Sequence, residues 1–233
     1  MTILPFRYGR WMLRDILLAQ GALLLGVAIL SAFILRRFDT PPALGVVVSG
    51  IAGQLGSLFI LFCTAGMVSS DRIQGYYRSY FARPVSPAGF YLQRWVLGGL
   101  MVALVVPVLT VALSVVLGGF RIDWHLMAQL EMLYLLLGGS VFFLSTMIRA
   151  DWLFALLALI VDTVLSQLKS SGVKLSLILN AIATVLPPFH LVKLPGANPS
   201  GSALMHVLLY GAGLVLAALA VLRWRPLGTG GRS

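Results

Sequence analysis

Charge is what this chain has least of. Only 10% of its 233 residues are charged, against roughly 25% in a soluble domain. Acids are scarcest, with 7 Asp+Glu against 17 Lys+Arg. With 59% hydrophobic residues and a mean hydropathy of +0.97, that deficit excludes a single-core soluble fold. The single cysteine, Cys63, excludes an intrachain disulfide and sits in an apolar run, where it reads as packing material. Nucleotide and catalytic motifs are missing too. There is no GxxxxGK loop followed by Ser or Thr, and the terminal GTGGRS has neither the spacing nor a preceding strand. His125, His190 and His206 are scattered, without an i, i+4 pair or a CxxC beside them, so no metal site is expected. No serine stands in a GxSxG turn. A cleavable leader is not expected either. The first apolar run, after Arg7, Arg10 and Arg14, is longer than a leader's apolar core and lacks a small-x-small site.

Long apolar runs fill the space that charge vacates. A spanning helix needs about 20 mostly apolar residues. Six segments meet or approach that, at 16–35, 44–68, 96–118, 126–147, 152–168 and 203–223. Each should be helical, because lipid offers backbone groups no partners, and the alternation of barrel strands is absent. The expected fold is an all-α integral membrane protein: one transmembrane domain over residues 1–233, with six transmembrane helices and no nucleotide-binding domain. The net charge of +10 flanks the apolar runs. It therefore reads as topogenic charge and contact with anionic lipid, not as a nucleic-acid surface.

Lys and Arg also set the orientation. With the N-terminus inside, Arg7, Arg10, Arg14, Arg72, Arg78, Arg83, Arg94, Arg149, Arg223, Arg225 and Arg232 lie inside, eleven of the 17. Arg36, Arg37, Arg121, Lys169, Lys174 and Lys193 make up the other six. Both termini are expected in the cytoplasm. The segment PFRYGRWMLRD puts Arg7, Arg10 and Arg14 on one helical face with Met12, Leu13 and Ile16 largely opposite, a pattern for an N-terminal interfacial helix.

Within the second segment, Gly45, Ser49, Gly53 and Ser57 recur every four residues. Small residues at that spacing form a stripe that a helix can approach closely, within the chain or across a dimer. Pro107 predicts a kink in the third segment. Between the fifth and sixth spans, Leu175 to Pro195 reads LSLILNAIATVLPPFHLVKLP. A re-entrant or interfacial helix broken at Pro187-Pro188 is the preferred reading, and a seventh span is its competitor. Two acids lie near or within spans. Asp162 is an intramembrane polar candidate: a carboxylate at a helix centre costs roughly 3 kcal/mol on insertion, and such residues are functional candidates by default. Its plainer reading is a hydrogen bond across the bundle. Glu131 lies near its span's end and reads as interfacial.

The strongest break in the grease is Asp71 to Arg94, DRIQGYYRSYFARPVSPAGFYLQR. Asp71 to Phe81 can form a short helix carrying Tyr76, Tyr77 and Tyr80. Pro84 stops it, because the residue before proline avoids helical backbone. Ser86-Pro87 starts the next helix as N-cap and first residue, running through Arg94 and Trp95 into the third span.

Here the sequence resembles the membrane subunits of ABC-2 type transporters. The likeness rests on Asp71-Arg72, Gly75, Ala82-Arg83-Pro84-Val85-Ser86, Tyr91 and Arg94. It also rests on the plan of a basic surface helix, six spans, a loop after the second and a long loop after the fifth. Many members carry glutamate where this chain has Asp71. The resemblance implies a permease that is not itself catalytic and binds no cofactor. ATP and Mg2+ would sit on a separate ABC ATPase subunit, and two permease chains would assemble in a bacterial cytoplasmic membrane. It also implies a coupling helix between spans 2 and 3 that docks on the ATPase, here Asp71, Arg72, Gly75, Tyr76, Tyr77, Tyr80, Phe81, Arg83 and Pro84. The haem-exporter membrane subunit of cytochrome c maturation shares this plan. Alternatives of another class are a substrate-binding membrane module that borrows an energising complex, a membrane enzyme, and an assembly subunit.

Overall fold

The computed structural model describes residues 21–35, 44–75, 86–120, 122–172, 176–192 and 201–224. Every regular element among them is helical, and no strand occurs. The helices are α1 (Ala22–Leu35), α2 (Leu44–Thr64), α3 (Ser69–Gln74), α4 (Pro87–Val116), α5 (Trp124–Ser145), α6 (Asp151–Ser170), α7 (Leu177–Val185) and α8 (Gly201–Trp224). Five stretches are long and apolar enough to cross a membrane: Val47–Gln74, which joins α2 to α3, and α4, α5, α6 and α8. These are the lengths and compositions of an integral membrane protein. The described part of α1 has 14 residues, about 21 Å of helix, short of the roughly 30 Å hydrocarbon core. Residues 16–20 of the expected first span lie outside the described residues, as does the segment with Arg7, Arg10 and Arg14.

Local chemistry sets several helix ends. Ser86 caps α4 with its side chain, which accepts from the Gly89 N–H at 3.4 Å, and Pro87 follows at the first helical position. Asp123 and Ser176 cap α5 and α7 in the same way. The helix expected to run unbroken over 71–81 is interrupted at Gly75, and residues 76–81 lie outside the described residues. α3 starts at Ser69 and stops at Gly75, whose φ of 74° places it in the left-handed region where an α-helix ends. α4 continues through Pro107, and the Thr110 hydroxyl donates to the Pro107 carbonyl at 2.8 Å. α7 has nine residues, about 14 Å, too short for a seventh span. It ends at Val185, and Leu186, before Pro187-Pro188, is extended.

α4 and α5 form the centre. α4 packs on α1, α2, α5 and α8, and α5 packs on α2, α4, α6 and α8. Phe59, Ile60, Leu109, Leu113, Leu126, Leu130 and Leu136 fill the space between them, each no more than 1% exposed. The middle turn of α5, Tyr134–Gly138, is π-helical. It turns Tyr134 onto α4, where the phenol donates to the Trp95 carbonyl. Gly98 makes that approach possible: a Cβ there would lie 2.5 Å from the Tyr134 hydroxyl oxygen. On α8, Gly211 serves the same purpose, since its Cβ would meet the Leu135 side chain at 2.5 Å.

Candidate functional site: a polar latch at one end and a cavity at mid-bundle

Polar side chains gather where α2 ends, α4 begins, α5 ends and α6 begins. After Thr64 the chain makes one turn through Gly66 and enters α3. Asp71 on α3 is 5% exposed. Its Oδ2 accepts from the Tyr91 hydroxyl and the Arg94 guanidinium, both at 3.2 Å and both from the first turns of α4. Arg94 also donates to the Met67 carbonyl at 3.0 Å. Arg72 reaches the other way and donates to the Thr146 carbonyl at the end of α5, at 3.0 Å. Asp151, the first residue of α6, is fully buried. Its Oδ2 accepts from the Gly66 N–H at 3.0 Å and the Ser69 hydroxyl at 3.2 Å, and its Oδ1 from the Trp152 N–H at 2.9 Å.

Two carboxylates and two guanidinium groups thus tie the 66–75 segment to α4, α5 and α6. Each carboxylate faces a cation or several N–H and O–H donors, as a buried charge requires. Below them Met67, Val68, Phe90, Tyr91, Phe142, Val215 and Leu222 make a second apolar cluster. The segment is therefore fixed by packing as well as by charge.

The sequence-predicted coupling residues divide. Asp71 is turned inward, Arg72 is exposed with its guanidinium on Thr146, and Gly75 ends α3. Tyr76, Tyr77, Tyr80, Phe81, Arg83 and Pro84 lie outside the described residues. Asp151 was missed because its partners stand 82 and 85 residues away. The readable signal was an acid at the start of an apolar run.

Asp162 is 2% exposed in the middle of α6. Its partner is a residue that sequence reading had set aside. Oδ2 accepts from the His190 N–H at 2.7 Å, and the His190 ring Nδ1 stands 2.9 Å from Oδ1. The acid thereby pins the one-turn helix Phe189–Leu191 to α6. Of the small-residue stripe, Ser49 donates to Asp123 Oδ2 at 2.6 Å, and Gly53 and Ser57 line a cavity. Gly45 lies in the first turn of α2. The tight approach of α2 to α5 falls instead at Gly56, where a Cβ would lie 2.6 Å from Leu130 Cδ1.

That cavity measures about 410 Å³. Its walls are Gly53 to Leu61 on α2, Gln129 to Leu137 on α5, Leu156 to Thr163 on α6, and Phe189 and Val192. It lies between the middle turns of α2, α5 and α6. Among the described residues no three His, Cys, Asp or Glu side chains come together as a metal site. Comparison with protein-family models, with curated proteins and with solved structures finds no match to this chain.

Proposed function

We propose that this chain is the permease subunit of an ATP-driven exporter of the ABC-2 type. In this reading residues 71–94 face the cytoplasm and dock on a separate ATPase subunit, which holds ATP and Mg2+. Two permease chains form the path, α1 extends through residues 16–20 into a sixth span, and α7 is a re-entrant or interfacial element. Both termini lie in the cytoplasm of a bacterial inner membrane.

One observation carries the reading: both borders of the 76–85 loop are fastened to the bundle. At its start, Asp71, Arg72 and Ser69 hold α3 to α4, α5 and α6. At its end, α4 begins at a capped Ser86 and runs unbroken for 30 residues. A push on the loop is thereby delivered to three long helices at once, which is what a force-transmitting element needs. A free hairpin would absorb it.

Co-expression with a soluble ABC ATPase tests this. The two should co-purify, and lipid-reconstituted ATP hydrolysis should require both chains. Replacing Tyr76, Tyr77, Tyr80 and Phe81 with alanine should abolish co-purification while leaving the permease folded. ATPase binding that survives the replacement refutes docking through this loop.

A further inference from the structure

We infer that the cavity between α2, α5 and α6 is a binding site for a neutral, lipid-soluble molecule that donates one hydrogen bond. Its volume of about 410 Å³ falls in the range of small-molecule sites, roughly 300–1,000 Å³. No charged residue lines it, so an ion entering it would lose its hydration without replacement. Seven leucines with Phe189 and Val192 supply most of the wall, which favours an apolar body.

The polar groups of the lining say which end of a hydrogen bond is wanted. Gln129 is 7% exposed, and its Oε1 is buried with no partner among the described residues. A buried acceptor left unmade costs about 1–3 kcal/mol, which a donor from a bound molecule would remove. Ser57 and Thr163 add no competing donors. Each hydroxyl is spent on its own helix, Ser57 on the Gly53 carbonyl and Thr163 on the Leu159 carbonyl, both at 2.8 Å. Both oxygens keep acceptor capacity. The buried atom of the lining left without a partner is therefore an acceptor, and an occupant that meets it must bring the proton; the Gln54 amide, which also carries donors, is exposed.

Access and closure are also built in. Gln54 and Leu58, one helical turn apart on α2, line the cavity and are exposed. They open it on the side where Phe62 also faces outward, the route a lipid-dissolved molecule would take. Phe189 closes another wall and is 4% exposed. It is held there by the bonds of its neighbour His190 to Asp162. Asp162 is thus a positioning residue for the cavity wall. Such binding needs neither nucleotide nor partner, so it stands or falls apart from ATPase docking.

The test uses the full chain in lipid nanodiscs with two photoreactive probes, a medium-chain alcohol carrying a diazirine and the alkane of equal length carrying the same group. The alcohol should label peptides spanning 129–137 and 156–163 more than the alkane does. Gln129→Leu should lower alcohol labelling about fivefold, the worth of one net hydrogen bond, and leave alkane labelling unchanged. Ser57→Leu, which fills the space, should lower both. Equal labelling by the two probes in the unmodified chain overturns the proposal and needs no variant to fold. So does alcohol labelling that is unchanged in Gln129→Leu.

Discussion

Replacing Asp151 with alanine should loosen the end of the bundle that carries the latch. The carboxylate accepts three hydrogen bonds, from Gly66, Ser69 and Trp152, at 3.0, 3.2 and 2.9 Å. The Trp152 amide belongs to the first turn of α6, where helix N–H groups lack intrahelical partners, so its loss resembles removal of a cap, about 1 kcal/mol. Gly66 donates from a half-buried turn and Ser69 from the buried first residue of α3. Orphaning each costs about 1–3 kcal/mol in a soluble protein, whereas polar contacts between membrane helices average about 0.6 kcal/mol. The latch sits at helix ends against a charged acceptor, so a value between those limits, about 1 kcal/mol each, is appropriate. The total is about 3 kcal/mol. At roughly 2–4 °C per kcal/mol for a chain of this size, the melting temperature should fall by about 6–12 °C.

Thermal unfolding followed by size exclusion of the full chain in detergent measures this. Asp151→Asn is the informative companion. Its one remaining acceptor can serve Gly66 and Ser69, but the amide then faces the Trp152 N–H with another donor. The loss should be about half that of alanine. If alanine shifts the melt by less than about 2 °C, these bonds do not hold the end together. If asparagine is as damaging as alanine, charge and not hydrogen bonding carries the effect.

Gly98→Ala should destabilise the chain by about 1–3 kcal/mol, an overpacking cost, because its Cβ would meet the Tyr134 hydroxyl oxygen at 2.5 Å. In a Tyr134→Phe background the same change should cost less, so a double-mutant cycle on melting temperature should be non-additive. Asp162→Leu should release the one-turn helix Phe189–Leu191. The His190 amide, bonded to a carboxylate at 2.7 Å, should exchange about tenfold to a hundredfold faster, given about 1.5–3 kcal/mol for a charged hydrogen bond, with the Gly66 amide unchanged.

How much of this was readable in the chain depends on distance along it. The start of α4 was legible to the residue, since Ser86-Pro87 is a local start signal, and its end lay two residues from the expected 118. The limits of α6 and α8 were within two residues, because lipid-length apolar runs leave few other foldings. The end of α3 at Gly75 carried its own signal, a glycine within a polar run, which the expected helix passed over. The stripe on α2 was visible as a pattern, yet spacing does not say which face meets a helix. Gly56, one residue before Ser57, makes the close contact, and Gly53 and Ser57 border the cavity. Asp162–His190 and Asp151–Gly66 span 28 and 85 residues. Such pairs exist only once helices are placed, and a lone acid in an apolar run names no partner. The π-helical turn, YLLLG, is as apolar as its surroundings and has no sequence mark of its own.

That turn makes residue count, and not only residue identity, a specification of this protein. A π turn holds one residue more than an α turn, and each residue of an α-helix advances the face by about 100°. Everything in α5 beyond Gly138 is therefore rotated by about that angle from where an unbroken α-helix would aim it. Gly139, whose Cβ would stand 3.4 Å from the Gly211 carbonyl, meets α8 only because of the surplus residue. Lineages carrying this bundle can exchange one leucine for another within 135–137, but losing one would dial the lower half of α5 away from α8. Chains that keep this bundle should show no deletion there even where their letters vary.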